Sequence, residues 1–519
     1  MRVFRNVLLI TSAALSVACV MAGYANAQEV DPAPQAGVFG TDTLQTVLAS
    51  VYRNNPQLLG ERARLREIDE TYIQARAQGR PSLTAGGELS LQATRSPGDG
   101  TNPFVPAGGG GWSDTTPSAS QLIAIQPLYQ GGRIKALKQQ TKASIMAARA
   151  GLENAENNVF LSAAKAYVDV LRDEETARIR RNNVRVLTRQ LTAANERFDV
   201  GEGTRTDIAQ SESRLAGAEA GLALADAQIA SSRAIFVRYV GRMPDQLSPV
   251  PAFIVPESLD QAIALARDNN PQLLAAYYNE LAGTAAIDVA KAAGRPTISL
   301  QGSLVRSRGT LLGFQDTDQA TIGANVSVPI FSGGANASRV RQAKHAKTRL
   351  GFEARDVERI VDQTITQIWA QMGAAKRIVA TSKRQVAASD VAFEGVSLEQ
   401  QVGTRTQLDV LDAEQETLNA KLTLINAERD YDAAVFQLLS TIGVLDADGI
   451  DLPITRHDPD AYFSDLRDDR FKRAGDRFLP DVFRNDEPVF PNLNEDDAII
   501  GVSEGEGAPL DAESDSEED

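Results

Sequence analysis

Asn54-Asn-Pro-Gln-Leu-Leu59 occurs again as Asn269-Asn-Pro-Gln-Leu-Leu274, 215 positions further along the chain. Gly79-Arg80-Pro81 returns at the same offset as Gly294-Arg295-Pro296. Pro127-Leu-Tyr-Gln-Gly-Gly132 then answers Pro329-Ile-Phe-Ser-Gly-Gly334 at an offset of 202. The same 202 relates Val200-Gly201, Asp207, Glu212 and Gly241 to Val402-Gly403, Asp409, Glu414 and Gly443. The offset changes once, by 13, and register holds on either side of the change. Spacing kept through so many landmarks means an internal duplication, with one insertion separating the copies.

Each copy reads as helix, strand, loop, strand, long helix, turn, helix. In the first, residues 41–247, a short helix over Thr41 to Arg53 precedes a second opened by Pro56, a residue suited to a first helical turn. Gly79-Arg80-Pro81 stops that helix. Strands are predicted near 82–94 and 120–129, where apolar and polar residues alternate, as in Leu83, Ala85, Leu89 against Ser82, Thr84, Glu88. The second copy, residues 258–445, places its strands near 297–306 and 320–330. Between the first pair lies a Pro/Gly-rich loop, Ser96 to Ser118, with Gly108 to Gly111. The shorter loop Ser307 to Gln319 accounts for the change of 13.

The helices are the unusual feature. Residues 133–200 and 335–402 are each 68 positions without a proline, about 100 Å at roughly 1.5 Å per residue. Val184, Leu187, Leu191, Ala194 and Phe198 recur at spacings of 3 and 4, and Val379, Val386 and Phe393 every seven, as in a coiled coil. Helices 204–240 and 404–443 follow them. A globular domain does not use helices this long; a tube or a fibre does. The strands, about ten residues each, fit either an ordinary hairpin with one buried face or a tilted crossing of a bilayer. Four strands cannot close a transmembrane barrel, for which about eight are needed, so a membrane-spanning reading requires an oligomer.

Composition narrows the function. Lys+Arg is 53 against Asp+Glu 68, which leaves no cationic excess for a nucleic-acid binder. The charge is not spread evenly: residues 446–519 hold 23 acids against 7 bases, whereas residues 28–445 carry 44 bases against 45 acids. The formal −15 therefore belongs to an acidic C-terminal extension, its end expected to be disordered. One Cys excludes a disulfide framework, and two His, His345 and His457, lie apart without ligand spacing, so no metal and no cofactor is expected. No phosphate-binding loop or nucleophile elbow is present, and an enzyme is not expected. Met1-Arg-Val-Phe-Arg5, an apolar run from Val7 to Ala22 and Ala25-Asn-Ala27 read as a signal peptide over residues 1–27. An N-terminal anchor is the alternative. Cys19 suits a lipoprotein signal poorly, because Ser16 stands where Leu is usual.

On the duplication, the Asn-Pro helix starts, the Pro-x-x-x-Gly-Gly entries to the long helices and Val402-Gly-Thr-Arg-Thr-Gln-Leu-Asp-Val-Leu-Asp-Ala413, residues 41–445 resemble the TolC family of outer-membrane export ducts. The resemblance implies an α+β membrane protein working as a homotrimer. Three copies would contribute four strands each to one 12-stranded transmembrane β-barrel in outer-membrane lipid of a Gram-negative bacterium, continued by a periplasmic α-helical barrel. It implies a periplasmic adaptor and an inner-membrane transporter as partners, and no nucleic acid. It makes Asp409 and Asp412 the pore-constricting carboxylates, three residues apart and so on one helix face. Read without it, both are solvated acids near a helix start at Thr404. It makes Asp207, Gln400 and Arg405 the gate latch, Gln400 standing where the family has tyrosine. The turns Gly201, Gly203 and Gly403, ordinary helix C-caps on their own chemistry, become the tips that meet the adaptor. The implied function is the exit duct of a tripartite export machine for type I protein secretion, or else for small-molecule efflux. A periplasmic coiled-coil scaffold without a pore is the competing class. The segment Tyr462 to Phe490 is expected to wrap the tunnel.

Overall fold

The computed structural model describes residues 42–95, 112–308 and 317–468. The signal-peptide segment, Gly108 to Gly111 and the acidic terminus from Asn494 lie outside them. The chain divides into two units, residues 1–462 and 463–519. In chain order the elements are α1 Leu44–Asn54, α2 Pro56–Ala77, β1 Ser82–Leu89, β2 Gln92–Arg95, β3 Trp112–Thr115, β4 Ser118–Gln130, α3 Arg133–Asp199 and α4 Arg205–Val240. The second copy supplies α5 Leu259–Asn269, α6 Pro271–Ala292, β5 Thr297–Arg308, β6 Thr317–Ser327, α7 Ala335–Gln401 and α8 Gln407–Ile442, and α9 Ala461–Asp468 follows.

The repeated Asn-Asn-Pro performs two jobs. Asn55 caps α2, its Oδ1 accepting from Gln57 N at 2.9 Å, while Pro56 fills the first helical position, where no N–H is needed. Its Nδ2 donates to Tyr239 O at 2.9 Å and so ties α2 to the end of α4. Asn270 does the same in the second copy, accepting from Leu273 N at 3.0 Å and donating to Thr441 O at 2.8 Å. The junction is tighter there. A Cβ at Gly443, which has φ 90°, would come within 2.3 Å of Asn269 O, whereas one at Gly241, φ 84°, would meet nothing within 4 Å. Gly241→Ala should therefore cost about 1–2 kcal/mol for the left-handed conformation alone. Gly443→Ala should cost at least about twice that, once overpacking is added. Thermal unfolding of the two variants compares them; equal losses would contradict the close approach.

Both long helices carry 67 residues. Their large apolar side chains concentrate in one zone, where Leu44, Leu48, Leu58, Phe160, Tyr167, Phe236, Phe436 and Leu438 are fully buried. There the Tyr167 hydroxyl reaches the carbonyls of Asp42 (2.9 Å) and Ser248 (2.5 Å). Residues 446–460 begin the acidic extension, yet Ala447, Ile450 and Leu452 are buried in this core. Burial of those three apolar groups outweighs the local acidity. Polar contacts add to it: Ala447 N donates to Glu156 at 2.9 Å, His457 N to the Tyr52 hydroxyl at 2.8 Å and the Tyr462 hydroxyl to Glu70 at 2.6 Å. Beyond Asp468, the segment expected to wrap the tunnel lies outside the described residues.

The main sheet is antiparallel in the order β1-β4-β5-β6, which leaves β1 and β6 as edges. Its register puts Leu83, Ala124, Gly302 and Ile322 in one row and Ala85, Leu122, Leu304 and Ala320 in the next, on one face. Thr84, Ser303 and Thr321 belong to the other. Among the described residues nothing covers the apolar face: Leu83 is 69% exposed, Leu304 55% and Ile322 78%. An ordinary hairpin with one buried face does not describe it. The long loop of the first copy differs from expectation as well, because β3 lies inside it and pairs with β2, Arg95 opposite Trp112. Strand β6 ends at Ser327, short of the expected 330, where Pro329 can no longer donate to the ladder.

Candidate gate at the hairpin tips

Helices α3 and α4 form one hairpin and α7 and α8 the other, each turning through five residues. Gly201 (φ 79°) and Gly403 (φ 83°) take the left-handed conformation that ends a helix. Glu202 N then donates to Arg197 O at 2.8 Å and Thr404 N to Glu399 O at 3.0 Å. Gly203 answers Arg405 at the offset of 202, and a Cβ there would lie 3.1 Å from Phe198 N. Val200 and Val402 stand out from the two turns, 71% and 76% exposed.

Both return helices open on a capping box. Thr204 N donates to Asp207 Oδ2 (3.0 Å) and Asp207 N to Thr204 Oγ1 (3.2 Å). Thr406 and Asp409 repeat this at 2.9 and 3.2 Å. The box sets the start of α8 at Gln407, three residues later than expected, because Thr404 is spent closing the preceding turn. Asp207 and Asp409 thus do the same structural work in the two copies. Two hydrogen bonds from Thr406 hold the Asp409 carboxyl below its ordinary value of 3.8.

The remaining residues singled out from sequence have local partners. Arg405 pairs with Glu399 in its own turn at 2.9 Å, and not with Asp207. Asp412 accepts from Arg214 of α4 at 2.7 Å, so its charge is already countered within one chain, across the two repeats. Gln400 lies 3.2 Å from Gln407 and, with its amide oxygen turned inward, accepts from the Arg197 guanidinium.

Sequence reasoning missed the layer that joins the two hairpins. Arg197 Nη2 donates to Gln407 Oε1 at 3.1 Å, Gln407 Nε2 to Gln190 Oε1 at 3.0 Å, and Asn183 Nδ2 to Glu414 Oε1 at 2.9 Å. Asn183, Gln190 and Arg197 are seven apart on α3, as are Gln407 and Glu414 on α8. Polar residues at heptad spacing within a coiled coil are the signal that could have found them. Glu414 is 7% exposed, and its Oε2 has no hydrogen-bond partner among the described residues. Burial pushes its carboxyl up to about 7 from 4.5. The folded protein therefore holds a proton that the unfolded chain releases. The contribution of Glu414 to stability is fully present below about pH 4.5 and is lost as pH rises towards 7, by on the order of 3 kcal/mol. Glu414→Gln should raise the melting temperature at pH 8 and leave it nearly unchanged at pH 5; equal effects at both would show that Glu414 is ionised throughout.

Among the described residues no His/Cys/Asp/Glu cluster could hold a metal, and no helix is long and apolar enough to cross a membrane. The structure thus joins a four-stranded antiparallel sheet to two long helical hairpins that end in glycine turns and capping boxes. The profile of the family described as "Outer membrane efflux protein" matches residues 47–242 and 262–444. This chain belongs to that family: it is a transport protein of the Gram-negative outer membrane and not an enzyme. The outer membrane efflux protein BepC of Brucella suis biovar 1 (strain 1330) is 32% identical over 436 residues, 83% of this chain and 92% of BepC. The outer membrane protein TolC of Vibrio cholerae serotype O1 is 26% identical over 426 residues, 77% of this chain and 91% of TolC. Other similar proteins are named for alkaline protease secretion and for pyoverdine export. The solved outer-membrane channel OprN shares the fold, with a TM-score of 0.65 at 21% identity over 77% of this chain and 89% of OprN.

Proposed function

We propose that this chain is the exit duct of a tripartite export machine, three copies closing one 12-stranded barrel in outer-membrane lipid and one helical tunnel below it. The observation that carries this reading is the sheet, whose apolar face is uncovered and whose edge strands β1 and β6 have no further strand partner among the described residues. A sheet edge leaves a row of unpaired N–H and C=O groups, which hydrocarbon does not tolerate and which barrel closure satisfies. A scaffold without a pore would have no use for such a sheet. Asp409 and Asp412 would form two rings of three carboxylates at the constriction. Asp207, Gln400 and Arg405 would hold the tips shut, and Gly201, Gly203 and Gly403 would shape the turns that meet a periplasmic adaptor serving an inner-membrane transporter. Heat-resistant trimers in the outer-membrane fraction are the expected result; a monomer in the soluble periplasmic fraction would overturn the reading.

Type I protein secretion is the proposed transport. The names of BepC and of the pyoverdine exporter favour small-molecule efflux as the second reading. Deletion separates them: a protein missing from the medium supports secretion, and raised sensitivity to dyes and drugs supports efflux.

A further inference from the structure

The duplication extends to side-chain contacts. Arg181 pairs with Asp226 at 3.1 Å across the first hairpin, and Lys383 with Glu428 at 3.0 Å across the second. Each partner is displaced by 202 positions, so the two hairpins have the same internal geometry.

Within the chain, α3 of the first repeat meets α8 of the second through Asn183–Glu414 and Arg197–Gln407, and Arg214 of α4 reaches Asp412 of α8 beside them. Moving each residue on by one repeat maps α3 onto α7, and α8 onto an α4 that must belong to another molecule. The counterparts of Asn183 and Arg197 are Gln385 and Glu399; those of Glu414 and Gln407 are Glu212 and Arg205. All four are exposed. Their chemistry is complementary. An amide again faces a carboxylate in Gln385–Glu212, and the guanidinium–amide contact becomes a carboxylate–guanidinium pair in Glu399–Arg205. Arg205 makes no ion pair with a described residue, and Glu399 holds only Arg405 of its own turn, half exposed.

We propose that α7 of one copy docks on α4 of a second copy in the register set by Glu399–Arg205 and Gln385–Glu212. This rests on the trimeric reading above and adds residue pairs to it. At the tip, the seam between molecules then has a carboxylate–guanidinium pair, Glu399–Arg205, where the seam within one chain has the guanidinium–amide contact Arg197–Gln407. Glu399 is shared between Arg405 of its own turn and Arg205 of the neighbour.

The test is thiol cross-linking of the full-length protein in membranes, with Cys19→Ser removing the natural thiol. Arg205→Cys with Glu399→Cys, and separately Glu212→Cys with Gln385→Cys, are treated with a short bismaleimide. Arg197→Cys with Gln407→Cys, the equivalent contact inside one copy, shows that the reagent spans this geometry. The expected result is covalent trimers from both exposed pairs and none from the mismatched pair Arg205→Cys with Gln385→Cys. Exposed positions leave the packing of each copy intact. Trimers that survive without the reagent, yet are linked by the mismatched pair or by neither matched pair, would overturn the register. Failure to recover trimers in any variant or in the parent would instead overturn the proposed function, and the register with it.

Discussion

Arg197→Ala is expected to open the closed tip further than Arg405→Ser, measured as single-channel conductance in a planar bilayer. Arg405 and Glu399 are about half exposed, 50% and 52%, so solvent screens their ion pair. The Arg197 guanidinium donates to Gln407, which is 6% exposed, and Gln400 accepts from the same group. A charged hydrogen bond of this kind is worth about 1.5–3 kcal/mol. At about 1.4 kcal/mol per tenfold, removing Arg197 shifts the closed-to-open ratio by roughly tenfold to a hundredfold, and removing the screened Arg405 shifts it less. Higher conductance from Arg405→Ser with none from Arg197→Ala would place the restraint between copies rather than within one. Unchanged conductance in Arg405→Ser would remove that residue from the latch.

Trivalent cations added from the periplasmic side are expected to block the current, and Asp409→Ala with Asp412→Ala to abolish the block. Rings of like charge focus the field at a narrow point, so in the proposed trimer two residues per chain would govern cation affinity. The structure adds two conditions. Arg214 counters Asp412 at 2.7 Å, so Arg214→Ala should tighten the block. At about 0.5 kcal/mol per exposed pair in three copies, that is roughly tenfold. Asp409 is held below 3.8 by Thr406, so its charge, and with it the cap on α8, is complete above that value and lost only as pH falls beneath it. The block should therefore be level from pH 8 to about pH 5. Persistence of the block in the double variant would sink the carboxylate-ring proposal.

The site was legible in the sequence only in part, and the reason differs from residue to residue. Asp207, Asp409 and the tip glycines announce themselves because caps and turns are local: Thr204 and Thr406 stand three residues from the aspartates they bond. Gln407 was invisible for the opposite reason. Its partners Arg197 and Gln190 lie 210 and 217 positions away, and a glutamine at a helix start carries no signal of burial. The partner of Asp412 was missed likewise, Arg214 being 198 positions distant. Arg405 is assigned to the latch by the family resemblance, and within one chain the turn bends it back onto Glu399, a partner six residues away.

What the sequence alone determined is whatever repeats or acts locally: the duplication, the long helices, the strand alternation, the caps, and the placing of negative charge in the C-terminal extension. Each follows from spacing along the chain, where period and backbone chemistry suffice. Only the tertiary structure decided that the apolar strand face lies uncovered, that Ala447, Ile450 and Leu452 join the core, and that a heptad-spaced polar layer fastens one hairpin to the other. Those depend on which surfaces meet across some 200 residues of chain, and burial is a property of the meeting surfaces rather than of either segment.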